Sequence, residues 1–150
     1  MSKISDVITA LYSLITTNLS DYNELPDPYD IEGNTELFLK KGFAISVNAG
    51  TNDQDRSVSC HRWTTRTFTF TLTNKITTTR ENKDSMKTLQ KSIMEDQETI
   101  NQALYDDRTI GDVAQDAIYI SDNGIEYLTI DEVKYFRLDT TIEVTYIKQV

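Results

Sequence analysis

Cysteine and histidine are nearly missing from this chain: Cys60 and His61 are the only ones among 150 residues. A single cysteine excludes an internal disulfide and fits a reducing compartment. Cys60 and His61 are adjacent, and neighbours in an extended chain point to opposite sides, so the pair cannot readily share a metal or a proton. A zinc site needs further Cys or His ligands, which the composition does not supply. The five glycines fall in no Gly-x-Gly-x-x-Gly, phosphate-binding loop or Gly-x-Ser-x-Gly pattern. No apolar run approaches the roughly 20 residues a membrane helix requires. The opening MSKISDVITALYSLITTNLSD contains no small-residue cleavage site and reads as an amphipathic helix rather than a signal peptide. Synthesis in the cytoplasm is the expectation.

Positive charge is also short. Fifteen basic side chains face 24 acidic ones, for a net charge of -9. Overall acidity argues against tight nucleic-acid binding, which draws its affinity mainly from cations that release counterions. The charge is uneven. Between Arg56 and Lys91 eight basic residues stand against Glu81 and Asp84, whereas between Glu95 and Glu132 there are eleven acids and only Arg108. A polarised molecule suits head-to-tail contact between copies.

What the chain has in abundance is alternation. From Tyr135 to Ile147, Phe136, Leu138, Ile142, Val144 and Tyr146 fall on one face, and Arg137, Asp139, Thr141, Glu143 and Thr145 on the other. A period of two marks an extended strand with one dry and one wet face. At about 3.3 Å per residue these thirteen residues reach roughly 43 Å, against a radius of gyration of roughly 15 Å for a domain of this length. Such a strand crosses the body or projects beyond it. Trp63 to Thr77 is the second such stretch, with Phe68, Phe70, Leu72 and Ile76 in phase and threonines at 65, 67, 69, 71 and 73 opposite. Trp63 is out of phase with the phenylalanines, which predicts a bulge or a switch of face near residues 63–67.

The remaining elements follow from periodicity and punctuation. Ile4, Val7, Ile8, Leu11, Leu14, Ile15 and Leu19 form an apolar stripe on a helix over 3–19, capped by Ser2 or Ser5. Pro26 and Pro28 make the following acidic stretch an extended surface connection. Asn34 can cap a short turn through Lys41, and Phe43 to Asn48 reads as a strand. Residues 49–61 have no period and are expected to be a mobile loop. A second helix is expected from about Ser85 to Tyr105, capped by Asn82 or Asp84. Asp122-Asn123-Gly124 predicts a hairpin turn between a short strand at 117–121 and its return at 125–130. The sum is one α+β domain over 1–150 with an antiparallel-dominated sheet carrying helices.

Chemical sites are thin. Asp53/Asp55 and Asp106/Asp107/Asp112 invite a calcium reading, but Val58 stands where an EF-hand loop needs glycine. Glu81-x-Lys83 and Glu132-x-Lys134 have the spacing of metal-dependent nucleases, which on a strand would put carboxylate and ammonium on one side. No upstream aspartate completes either set, and no catalytic, cofactor or metal site is expected. Arg56, Arg62, Trp63 and Arg66 form the best binding cluster, since arginine and tryptophan concentrate interface energy. Asp106 and Asp107 are its acidic counterpart.

The layout as a whole resembles the tail terminator (tail completion) proteins of long-tailed bacteriophages. The resemblance rests on the first helix, the passage NELPDPYDIEGNTELFLKKGFAISVNAG, the RTFTFTLTNK strand, the helix from Ser85, the segment DNGIEYL and the terminal RLDTTIEVTYI. It implies a ring, six-fold in related proteins, seated on the last ring of the tail tube at the tail-neck junction of the virion. That ring would stop tube growth, offer the docking surface for a head-completion or neck protein, and let DNA through its lumen without specific binding. It also implies no enzyme activity and no membrane. A neck adaptor and, more remotely, a nuclease using Glu132 and Lys134 are the alternatives.

Overall fold

The computed structural model describes residues 3–29, 40–58, 61–76, 83–130 and 132–149, apart from the side chains at 55, 56, 58, 83–85 and 149. Two helices, α1 (Ile4–Asn18) and α2 (Lys83–Asp106), accompany five strands: β1 (Asn23–Glu24), β2 (Lys41–Val58), β3 (His61–Lys75), β4 (Asp116–Ile130) and β5 (Val133–Gln149). The sheet order is β1-β2-β3-β5-β4. Only β1 pairs in parallel; all other neighbours are antiparallel. The α+β architecture expected from the sequence is therefore present.

Strands dominate because the alternation is long. β2 and β5 have 18 and 17 residues, roughly 55–60 Å of chain at about 3.3 Å per residue. β3 and β5 pair in one unbroken register from His61–Gln149 to Lys75–Tyr135. Even-numbered Phe68, Phe70, Leu72, Leu138, Ile142 and Val144 face the helices and are at most 2% exposed. They share one core cluster with Val7, Leu11 and Ile15 of α1 and Ile93, Ile100 and Leu104 of α2. The α1 stripe is the one its sequence predicts. Its start is not: the N-cap is Lys3, and the Asp6 carboxylate accepts a hydrogen bond from the Lys3 N–H at 3.0 Å, while Ser5 is already helical. An acid in the first turn serves because it meets both the free N–H groups and the positive end of the helix. For α2, Asp84 likewise lies inside the helix; Asn82, Glu81 and the turn expected over 34–39 lie outside the described residues.

The other sheet face carries threonine and charge. Hydroxyls there tie strands together: Thr65 to Thr145 at 3.1 Å, Thr71 to the Asp139 carboxylate at 2.7 Å, and the Asn48 amide to Thr69 at 2.8 Å. At one end a small cluster of Leu25, Ala44 and Tyr135 covers it. Gly42 permits this, since a Cβ there would lie 2.8 Å from Leu25 Cδ2.

Three expectations are corrected. Residues 49–58 are not a loop but the outer half of β2, paired to β3 through Asp53–Trp63 and Val58–His61. Short polar residues hide the period, and the ladder to β3 imposes extension regardless. The irregularity expected in β3 near 63–67 falls on β2 instead. Its register shifts between Val47 and Gly50, so two residues oppose Thr67, and Trp63 simply faces away from the helices. Finally, Asp122-Asn123-Gly124 makes no hairpin. Residues 116–130 form one strand with register shifts at Tyr119/Ser121 and Asp122/Ile125. Gly124 takes φ 73°, with its N–H on the Asp122 carboxylate at 2.9 Å. The same backbone demand that makes Asn-Gly a turn former also makes it a bulge former.

One polar pair crosses the core. Gln97 of α2, 4% exposed, donates its amide to the Thr140 hydroxyl of β5 at 2.7 Å. Gln97→Leu or Thr140→Val alone strands the partner, and each should lower unfolding free energy by about 1–3 kcal/mol. The double variant should recover most of that loss, as read by chemical denaturation.

Candidate assembly surfaces

The arginine–tryptophan cluster predicted from sequence is divided by the strand it sits on. Arg62 and Arg66 share the helix-side face of β3, whereas Trp63 lies on the opposite face between Asp53 of β2 and Ile147 of β5. Arg62 is exposed; Trp63 and Arg66 are half-buried. Arg56 lies on β2, and its side chain is outside the described residues. Arg66 is the most constrained of the four. Its Nη1 donates to the Asn48 carbonyl at 2.7 Å, which sits in the β2 bulge. Its guanidinium lies over Gly50, where a Cβ would come within 2.8 Å of Cζ. Glycine at 50 thus lets the cation reach the margin of β2.

Asp106 and Asp107 are both exposed at the end of α2 but do different things. Asp106 accepts a bond from Gln102 Nε2 at 2.8 Å. Asp107 organises the α2–β4 connection: its carboxylate accepts the Thr109 hydroxyl at 2.8 Å and the Gly111 N–H at 2.8 Å. These bonds, the Thr109 hydroxyl first, hold its carboxyl below the usual range. They brace Ile110, Gly111 and Asp112, which take φ of 44°, 74° and 63° in succession. A β-branched residue at positive φ is strained, and Ile110 is held there by burial at 6% exposure. Asp107 is thus a brace for the chain, and Asp106 is the acid left at the surface of α2.

The other sequence candidates do not assemble. Glu132 occupies the β4–β5 turn with φ 68°, off the strand, so it does not share a strand face with Lys134. The Lys134 ammonium lies 6.0 Å from the Tyr127 ring centroid instead. His61 is half-buried on β3, and Cys60 is outside the described residues. Among the described residues no group of three or more His, Cys, Asp or Glu is placed to hold a metal. No described helix is long and apolar enough to cross a membrane.

What periodicity missed is the condition of the sheet margins. β4 is the last strand, and no described strand pairs with its outer edge. That strand exposes Tyr119, Ile120 and Tyr127 at 41–49%, and Tyr105 of α2 stands 75% exposed. A groove of about 310 Å³ runs between the two elements, lined by Leu104, Tyr105, Ala117 and Tyr119 among others. On the far margin, β1 pairs only with Gly42 and Phe43. Residues 28–29 follow β2 as far as Val47, through Ser46 Oγ to the Pro28 carbonyl and the Tyr29 hydroxyl to Val47. Beyond the bulge, no described strand covers β2.

A polar knot fastens α1, α2 and the sheet near the covered end of β2. The buried Tyr22 hydroxyl donates to the Asp96 carboxylate at 2.6 Å and accepts from Asn74 Nδ2 at 2.8 Å. The Lys41 ammonium lies 2.9 Å from Asp21 and 3.6 Å from Asp96. Burial, then the bond to Asp96, pushes the Tyr22 hydroxyl well above its ordinary value. Burial pulls the Lys41 value down, but Asp21 and Asp96 outweigh it and the net shift is upward. The bond to Lys41 holds the Asp21 carboxyl below its usual range. No sequence period marks these residues, because they come from the α1–β1 connection, β2, β3 and α2.

No protein-family model matches this chain, and no curated protein matches it in sequence.

Tyr22→Phe should cost about 1–3 kcal/mol at neutral pH by leaving Asp96 and Asn74 without their partner. In the wild type, unfolded tyrosine loses its proton near pH 10 while the folded one retains it, so stability should fall as pH rises above about 10. The raised Lys41 contributes in the same direction. Thermal midpoints between pH 8 and 11 should decline less steeply in Tyr22→Phe than in the wild type.

Proposed function

We propose that this protein is a structural component of a long-tailed bacteriophage virion: a tail terminator that assembles as a ring, six-fold by the resemblance, on the end of the tail tube. The observation that carries the reading is a five-stranded sheet whose four long strands end, among the described residues, with no strand paired to the outer edge of β4 or to β2 beyond its bulge. One margin, β4, has Asp122 and Glu126, with Asp116 paired to Arg108 at 2.7 Å; the other carries Asp53 and Asp55 on β2 and lies beside Arg62 and Arg66 of β3. An unpaired strand edge is a ready template for another chain. Contacts between unlike patches close into rings when the rotation per copy divides a full turn.

The mechanism is steric and electrostatic rather than chemical. The ring occupies the growing face of the tube, so no further tube subunit adds, and its opposite face receives a head-completion or neck protein. The acidic surface repels the DNA backbone and lets it slide through the lumen. The nuclease alternative loses its footing with Glu132 in a turn.

Electron micrographs of the purified protein, alone or with tail-tube protein, should contain rings of tube diameter. Added to polymerising tube protein, it should shorten the tubes in proportion to its concentration. Tubes of unchanged length and no ring in either preparation would remove the reading.

A further inference from the structure

We infer that neighbouring copies join by a strand-to-strand contact between the outer edge of β4 in one copy and the bulged outer half of β2 in the next. The inference rests on the ring reading above and names its contact. Three observations converge on it.

The first is direction. From β2 to β4 the sheet takes three antiparallel steps, through β3 and β5, so β4 runs opposite to β2. A copy standing beside the first in the same orientation therefore presents its β2 antiparallel to the first copy's β4. A contact between two β4 edges would instead demand a two-fold axis, which yields a closed pair and no ring.

The second is height. Gly50 pairs with Arg66, Arg66 with Val144, and Val144 with Ala117, so one cross-strand row ends at the β2 margin on one side and at β4 on the other. Copies standing level bring Gly50 and Arg66 of one to the Ala117–Tyr119 stretch of its neighbour. The apolar groove beside Tyr105 and Tyr119 lies at that same row.

The third is chemistry. At this height β2 offers small residues, Ala49, Gly50 and Thr51, which let another backbone approach closely. Arg66 is held over Gly50 as the cation. The facing margin carries Asp122 and Glu126 beside exposed Tyr119 and Ile120, while Asp116 is held by Arg108 at 2.7 Å. Each margin also holds a buried polar atom without a partner, the donor Arg66 Nε on one side and the acceptor Asn101 Oδ1 on the other. Unlike charges across such a contact set its partner and register.

Two single variants test it, each at an exposed residue: Ala49→Glu puts an acid on the β2 margin, and Ile120→Lys puts a cation on β4. Circular dichroism and thermal midpoint report that each is folded; Ser121→Lys replaces Ile120→Lys if the latter is not. Native mass spectrometry, with tail-tube protein present if the wild type needs it to assemble, reads copy number. Each variant alone should lose the ring and remain a monomer. An equimolar mixture should associate in one-to-one stoichiometry, because each variant retains the margin the other lacks and the remaining joint sets the introduced acid against the introduced cation. Rings formed equally well by both variants would place the contact elsewhere and overturn the inference while leaving the ring reading intact. Dimers of Ala49→Glu alone would overturn it in favour of paired β4 edges. A wild type that never forms rings would remove the ring reading and the contact with it.

Discussion

From His61–Gln149 to Lys75–Tyr135 the two central strands pair without a shift, and every layer of the molecule takes its position from that ladder. Because side chains alternate, a single register decides that phenylalanines, leucines and isoleucines face α1 and α2 and that threonines face away. A slip of one residue would invert both faces at once. The irregularities are accordingly kept out of this pair and placed on β2 and β4, where a bend disturbs one neighbour rather than two.

Core burial alone would leave this arrangement free to drift along the strand axis, since an apolar stripe tolerates small translations of a helix. Polar ties remove that freedom. Gln97 meets Thr140 inside the core, and Tyr22 gathers Asp96 and Asn74 at one end. Each is directional, and each is costly to leave half-made. The threonine face is organised in the same way, by hydroxyl bonds across strands rather than by a second hydrophobic layer.

The fold class and both helices were legible because their signals are periodic over many residues. β3 and β5 were legible for the same reason. The unequal fate of the two strands beside them is instructive. Residues 49–58 contain almost no apolar side chain, so no period announces them; the neighbouring ladder alone extends them. Asp122-Asn123-Gly124 announces a turn, yet the strand continues through it to Ile130, and the glycine relieves a bulge. Local chemistry there fixes a backbone angle but not whether the chain reverses. Of the residues picked by type, Arg66 lies beside the β2 margin and Asp106 at the surface of α2. The reading that overlong strands must be finished by another molecule pointed at β3 and β5, which their own chain completes on both sides. Among the described residues the edges without a pairing strand belong to β4 and to β2 beyond its bulge, and only topology reveals which strands are last in order.

The bulges on β2 and β4 carry a geometric consequence. Each adds a residue to one side of a ladder and so increases local coiling. With irregularities at both margins and a regular middle, the sheet is disposed to coil at its edges rather than lie flat. Curved tiles laid edge to edge accumulate rotation at every joint, so a row of them has a natural circumference. If copies assemble as proposed, copy number would follow from the coiling these extra residues add, open to change by deleting Ala49 or Gly124 without touching a single charged group.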